Sequence, residues 1–452
     1  MSRANSGRMN RVCKAIVSGC EICGLAARRW LPAALLLASL AFAQAAERFP
    51  PPEFESHHLP VTTVPPPRAM SLDYLDVAVL AAALSLAAWL ALRRRSRAGI
   101  VALSVLSLAY LGFWRKGCVC PVGATQNVAL ALWDTSYAIP FVVVAFFFLP
   151  LIFALLFGRV FCAAVCPLGT TQDLVAWKPL RVPRWLDRPR RMLPVAYLGL
   201  AILSAATGCA FVVCQYDPFV SFFRRSGPVP ILLLGAGFLV AGVFVARPYC
   251  RYLCPYGVLL GWLSRLSRWR VTITPDECIQ CRLCEDACPF DAIEKPTPDW
   301  TGTRRSAGRA ALVVALLLLP VLAAGGGWLG SRMSAPLSRL HRTVQLAERV
   351  WLENAGKVEG TTLASTTFRL TGRPEDGLYA EAREVQRRFA AGAPILGAFI
   401  GAVLGGAFVQ LSLRRRRKDY EPDRAACLSC ARCFHNCPRE RLRLKRKGSG
   451  AA

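Results

Sequence analysis

The residues with the most chemical promise are cysteines at short, repeated spacing. Cys278-x2-Cys281-x2-Cys284-x3-Cys288-Pro289 recurs as Cys427-x2-Cys430-x2-Cys433-x3-Cys437-Pro438. Thiolate sulfur is a soft ligand suited to iron–sulfur chemistry, and four thiolates complete the iron corners of a cubane. In the bacterial two-cluster pattern the first three cysteines of a run hold one cluster and the fourth ligates the other. The expectation is therefore two [4Fe–4S] clusters, one on Cys278, Cys281, Cys284 and Cys437 and one on Cys427, Cys430, Cys433 and Cys288. A zinc site would not need three evenly spaced cysteines and a fourth.

Shorter cysteine motifs accompany the runs. Phe161-Cys162-x3-Cys166-Pro167-Leu168-Gly169 matches Tyr249-Cys250-x3-Cys254-Pro255-Tyr256-Gly257, and reads as an internal repeat. Cys120-Pro121-Val122-Gly123-Ala124-Thr125-Gln126 shares a Cys-Pro-x-Gly-x-Thr-Gln pattern with Cys166–Gln172, as an inverted repeat would. The expectation is a quartet on each face of a membrane: Cys162, Cys166, Cys250 and Cys254 inside, Cys118, Cys120, Cys209 and Cys214 outside. Each quartet is read as one further metal or Fe–S centre. Disulfides are the alternative for the outer set, since an oxidising compartment permits them. Buried free thiols are the alternative for the inner set. Cys13, Cys20 and Cys23 are assigned no role, and no catalytic residue is assigned.

The elements that must position these cysteines are apolar. The chain has 452 residues, 54% of them hydrophobic, and seven apolar segments near the ~20 residues that cross a bilayer as a helix. They lie at about 74–92, 98–114, 138–157, 192–208, 228–246, 309–330 and 392–413. The net charge of +28 gathers beside the ends of these segments, as at Arg93–Arg94–Arg95, Arg190–Arg191 and Arg414–Arg417. That is a topology signal rather than a nucleic-acid footprint. It puts 93–97, 158–191, 247–308 and 414–452 in the cytoplasm. Two crossings, an even number, then separate the cysteine runs and let them meet on one face.

The expected organisation is mainly α. Residues 1–46 are a signal peptide or N-terminal anchor, since Leu31–Phe42 is a short apolar core followed by small residues ending at Ala46. A Pro-rich periplasmic segment covers 47–73 and a transmembrane domain 74–275. The first ferredoxin half is 276–300, then come a helix at 301–330, a periplasmic insert at 331–391, a helix at 392–413, and the second half with a basic tail at 414–452. The insert has helical periodicity through Leu340, Val344, Leu346 and Val350, which suggests a docking surface or cap. Its Thr-rich stretch Gly360–Thr367 reads as an exposed turn rather than a flavin attachment site. His57–His58 reads as a solvated linker pair. Asp76 reads as an interfacial acid with no special role. The tail Arg439–Lys447 is suited to anionic lipid. No Cys-x-x-Cys-His haem site occurs.

Over roughly 74–440 the helix pairs, both Cys-x3-Cys-Pro motifs and the two runs resemble membrane iron–sulfur proteins of denitrification and related respiration. These include the NapH-type quinol dehydrogenase component and the NosR/NirI-type accessory proteins. The resemblance implies a multi-pass protein of the bacterial inner membrane, with its ferredoxin domain and C-terminus cytoplasmic. It implies electrons drawn from quinol and passed to a periplasmic reductase or its maturation. Quinone and a periplasmic redox protein or metalloenzyme are the implied partners, with a homodimer or a complex with other respiratory subunits left open. A flavin is not expected, because the large N-terminal flavin domain of NosR proteins has no counterpart here. A copper-reducing assembly factor of the cytochrome-oxidase type and a redox-sensing membrane regulator are the alternative readings.

Overall fold

The computed structural model describes residues 69–449 except 118–119, 178–179, 181, 184–186, 188, 274–277, 298–301 and 414–416. The expected signal or anchor, most of the Pro-rich segment with His57–His58, Cys13, Cys20, Cys23, Cys118 and Arg414–Arg416 lie outside the described residues.

All seven apolar segments are helical. Helices α1 (Met70–Arg94) and α2 (Arg97–Trp114) are long and apolar enough to span a membrane. A short helix, α3 (Pro121–Trp133), follows, and then α4 (Phe141–Phe157). After α5 (Val160–Ala164) and α6 (Pro167–Val175) come α7 (Leu193–Ala206), α8 (Val212–Tyr216), α9 (Pro218–Arg224) and α10 (Val229–Phe244). Helices α11 (Pro248–Tyr252) and α12 (Pro255–Ser264) complete this part. With two later helices, four among the described residues pass the length and hydropathy requirement, and α9 with α10, bent by 106°, makes up to five. The expected seven crossings are thus matched by four to five on length alone. Helices α4 and α7, at 17 and 14 residues, are shorter than the ~20 of a typical straight crossing.

Hydropathy also misses the short helices. Residues 121–133, 167–175 and 255–264 lie between or beyond the apolar segments, yet there α3, α6 and α12 each begin with proline inside the fold. Pro121–Gln126 and Pro167–Gln172 are buried, while the far ends at Trp133 and Leu174 are exposed. Proline at the first helical position loses no intrahelical bond, and its fixed φ suits the start of a helix.

The two cysteine runs meet. Helix α13 (Leu283–Asp286) in the first packs against a matching turn in the second, α18 (Arg432–Asn436). Strand β1 (Ile293–Glu294) pairs antiparallel with β2 (Glu421–Pro422), in the register Ile293↔Pro422 and Glu294↔Glu421. The loops expected to share a face converge here. Arg95 bonds Glu440 at 2.8 Å, Arg97 donates to the Cys430 carbonyl at 3.1 Å and Arg159 to the Ala425 carbonyl at 3.0 Å.

Between the runs, α14 (Gly302–Ser338) and α17 (Glu375–Ser412) form a close pair. At 37 and 38 residues each is about 55 Å long at 1.5 Å per residue, so both run well beyond a ~30 Å hydrocarbon core. Small residues set the approach. A Cβ added to Gly326, Gly330, Gly397 or Gly401 would strike the backbone of the partner helix. Helices α15 (Arg342–Asn354) and α16 (Leu363–Leu370) pack on α17 through Val344, Ala347, Val350, Phe368, Leu378 and Ala382. The insert is thus a helical cap. Thr362 and Ser365 form the capping box that starts α16, an ordinary structural use of threonine. The chain ends in α19 (Pro438–Ser449).

Candidate metal centres

The run cysteines fall into two groups. Cys278, Cys281, Cys284 and Cys437 line one cavity with Ile273, Tyr420 and Arg439. Cys288, Cys427, Cys430 and Cys433 line another with Val271, Phe290 and Leu428. Their empty volumes, open mouths included, are about 370 and 350 Å³, as two copies of one group would require. The loops share one backbone course. Gln280 and Arg282 have φ of 53° and 63°, and Ser429 and Ala431, at the same places in the second run, have 57° and 60°. Left-handed residues either side of the second cysteine curl each loop round its cavity and turn N–H groups inward; Ser429 N–H lies 3.4 Å from Cys427 Sγ.

Burial pushes the Cys284 thiol up to about 11 and the Cys427 thiol up to about 12, because a bare thiolate is poorly solvated there. Iron would supply the missing positive charge. Among the described residues no three His, Cys, Asp or Glu side chains converge on one ion. A cubane spreads its ligands over separate irons, so the cavities fit a cluster better than a single metal.

The second set surrounds a buried arginine. Arg247 is 1% exposed. Its Nε and one terminal nitrogen donate to Asp173 at 3.0 and 2.7 Å, and the other donates to the Cys162 carbonyl. Gln172 accepts the Tyr249 N–H at 3.0 Å and its amide nitrogen lies 3.3 Å from Cys250 Sγ. Arg159 reaches Cys162 Sγ at 3.8 Å, and its Nε is buried without a hydrogen-bond acceptor among the described residues. An inorganic sulfide would be such an acceptor. Cys166 and Cys254 sit at the N-caps of α6 and α12, where the helix dipole favours negative charge.

Of the outer quartet, Cys120 and Cys214 are electrostatic neighbours, and a Cβ on Gly123 would lie 2.9 Å from Cys214 Sγ. Cys209 packs beside Leu203, Phe389 and Ala393. The sequence sets the two quartets a membrane apart, but Cys120 and Cys166 line a single cavity with Phe161 and Phe223. Helices α3 and α6 carry their cysteine ends inward, so Cys120 and Cys166 approach inside the bundle. Asp76 is fully buried, paired with Arg115 at 2.7 Å and bonded by the Tyr110 hydroxyl at 2.7 Å. It ties α1 to the end of α2.

Sequence reasoning missed Arg159, Asp173 and Arg247. Gln126 and Gln172 were visible as the last letters of the shared motif, though no role was given them.

Residues 139–191 and 226–274 match one family, described as a 4Fe-4S binding domain, and 271–294 match a second of the same description. The first covers the motifs at Cys162–Cys166 and Cys250–Cys254, the second the run Cys278–Cys288. Among curated proteins, YccM of Escherichia coli is 31% identical over 31% of this chain and 43% of its own length. NirI of Paracoccus denitrificans is 31% identical over 44% of this chain and 31% of its own. The methylamine utilization ferredoxin-type protein MauN of the same organism is 32% identical over 32% and 53%. The chain thus spans about half the length, or less, of these relatives. No solved structure matches significantly. With its apolar helices, its matches to two 4Fe-4S binding domains and these relatives, the chain is similar to the NosR/NapH-type group of iron–sulfur electron-transfer proteins.

Proposed function

We propose that this protein takes electrons from the quinol pool and passes them across or along the bacterial inner membrane to a periplasmic reductase of denitrification-type respiration, or to its maturation. The observation that carries the reading is the division of the eight run cysteines, three from one run with the fourth of the other in each cavity. It supports one ferredoxin domain, split round α14 and α17, with two [4Fe–4S] clusters. A third centre is held by Cys162, Cys166, Cys250 and Cys254, and Cys118, Cys120, Cys209 and Cys214 serve the far side.

When bound, such clusters supply one-electron chemistry. The protein sets where and at what potential. Phe290, Ala292 and Leu428 exclude water beside Cys427 and Cys430. The Ser429 N–H, Gln172 and Arg159 stabilise charge on sulfur, and donors of this kind raise a cluster's potential. The Arg-rich segments at the ferredoxin end support a cytoplasmic position for it by the positive-inside rule.

The test is anaerobic purification with iron and acid-labile sulfide per chain, EPR of the reduced state, and turnover with a quinol analogue in proteoliposomes. About twelve irons or more, with quinol-dependent reduction, support the reading, three cubanes holding four irons each. About eight restrict it to the ferredoxin pair, and reduction by no quinol analogue sinks the quinol role.

A further inference from the structure

We propose that the cysteine set Cys288, Cys427, Cys430 and Cys433 is the one that exchanges electrons with the set Cys162, Cys166, Cys250 and Cys254, while Cys278, Cys281, Cys284 and Cys437 form the outward terminus of the relay. The inference rests on the reading that all three sets hold clusters, and it assigns their order.

Three observations join the first two sets. Ala246, Phe290, Ala292 and Leu428 form one buried cluster, and Cys162, Cys288, Cys427 and Cys430 all pack against it. Arg159 touches both sides, donating at 3.0 Å to the carbonyl of Ala425, two residues before Cys427, and reaching Cys162 Sγ at 3.8 Å. Arg247, which holds the Cys162 carbonyl, lies over the Phe290 ring at 5.7 Å. The remaining set has a different setting. Cys281 is exposed, and Ile279 and Leu283 beside it are 54% and 46% exposed, so this set faces outward. A single electron leaves a reduced cubane and reduces its oxidised neighbour; no bond forms or breaks and no proton need move. A dry, packed junction with two fixed arginines suits that exchange, because little solvent has to reorganise.

The experiment uses the full chain, reduced anaerobically with dithionite, and power-saturation EPR of the Cys162-set signal. In wild type that signal relaxes fast through its reduced neighbour. In Cys281→Ser the fast relaxation persists; in Cys427→Ser it is lost. The reverse pattern overturns the order. Because either ligand variant could misfold, Arg159→Gln, which keeps every ligand, is titrated as well. A lower midpoint potential for the Cys162-set centre alone supports the bridge, and three unmoved potentials overturn it. Wild-type protein with about eight irons and two EPR centres overturns the reading beneath the proposal, and the proposal with it. Twelve irons with the wrong relaxation pattern overturns the order alone.

Discussion

Gln126 and Gln172 hold the same place in two copies of one motif and make the same bond. Each is fully buried, and each accepts the N–H of the residue just before a cysteine: Val213 before Cys214 at 2.8 Å, Tyr249 before Cys250 at 3.0 Å. One short helix thereby pins the cysteine of another segment, twice in one molecule. Gln172→Leu should leave a buried N–H unsatisfied, costing about 1–3 kcal/mol, and Gln126→Leu should cost a similar amount. Melting in detergent measures both, and wild-type melting of either variant would refute the pinning role.

The Arg247–Asp173 pair should be intolerant of half-removal. Asp173→Asn leaves a buried guanidinium without its counter-charge, for which about 3–5 kcal/mol is typical. The double variant Arg247→Met with Asp173→Leu should be milder than Asp173→Asn alone. Unfolding midpoints for the three proteins decide it, and a worse double variant would count against charge burial as the cause.

Iron content should follow the cavities. Cys427→Ser and Cys281→Ser should each lower iron by about four per chain, one cubane's worth. Cys209→Ser should leave the EPR of the ferredoxin pair unchanged, since Cys209 packs elsewhere. Loss of both pair signals in Cys209→Ser would contradict the assignment.

The α14–α17 contact should reject side chains where glycine lets backbones touch. Gly401→Leu should cost about 1–3 kcal/mol through overpacking. Gly406→Leu on the same helix, with open space about it, should be near neutral. Equal melting of the two variants would show that the close approach does not hold the pair.

Acid should loosen the cap before the rest of the fold. Burial works against ionisation of Glu353, but the Ser365 hydroxyl at 2.8 Å, Arg349 at 2.8 Å, the Thr362 N–H and Arg369 at 3.0 Å outweigh it and hold the carboxyl below its usual value. A depressed pKa contributes stability that is complete above the ordinary glutamate value, about 4.3, and is lost as pH falls through the lowered one. Hydrogen exchange across 342–370, corrected for intrinsic rate, should hold steady from pH 7 to 5 and rise below about 4. Glu353→Gln should flatten the profile, and a wild-type rise already at pH 6 would rule this carboxyl out.

The sequence by itself determined the chemistry. Two identical cysteine runs specify soft-ligand metal centres, because ligand spacing is local and written in order. Apolar length located the helices, and an even number of crossings allowed the runs to meet on one face. Tertiary structure alone decided what lies between. Helices α3, α6 and α12 are too short to register as crossings, and nothing in hydropathy says that their cysteine ends turn inward, so Cys120 and Cys166 looked a membrane apart. Arg159, Arg247 and Asp173 looked like ordinary loop charges. A charge is tolerable in such an interior only when the fold brings it a partner, and those partners lie 74 residues away for Asp173 with Arg247 and 266 for Arg159 with Ala425. Such pairings follow from packing, which spacing along the chain does not encode.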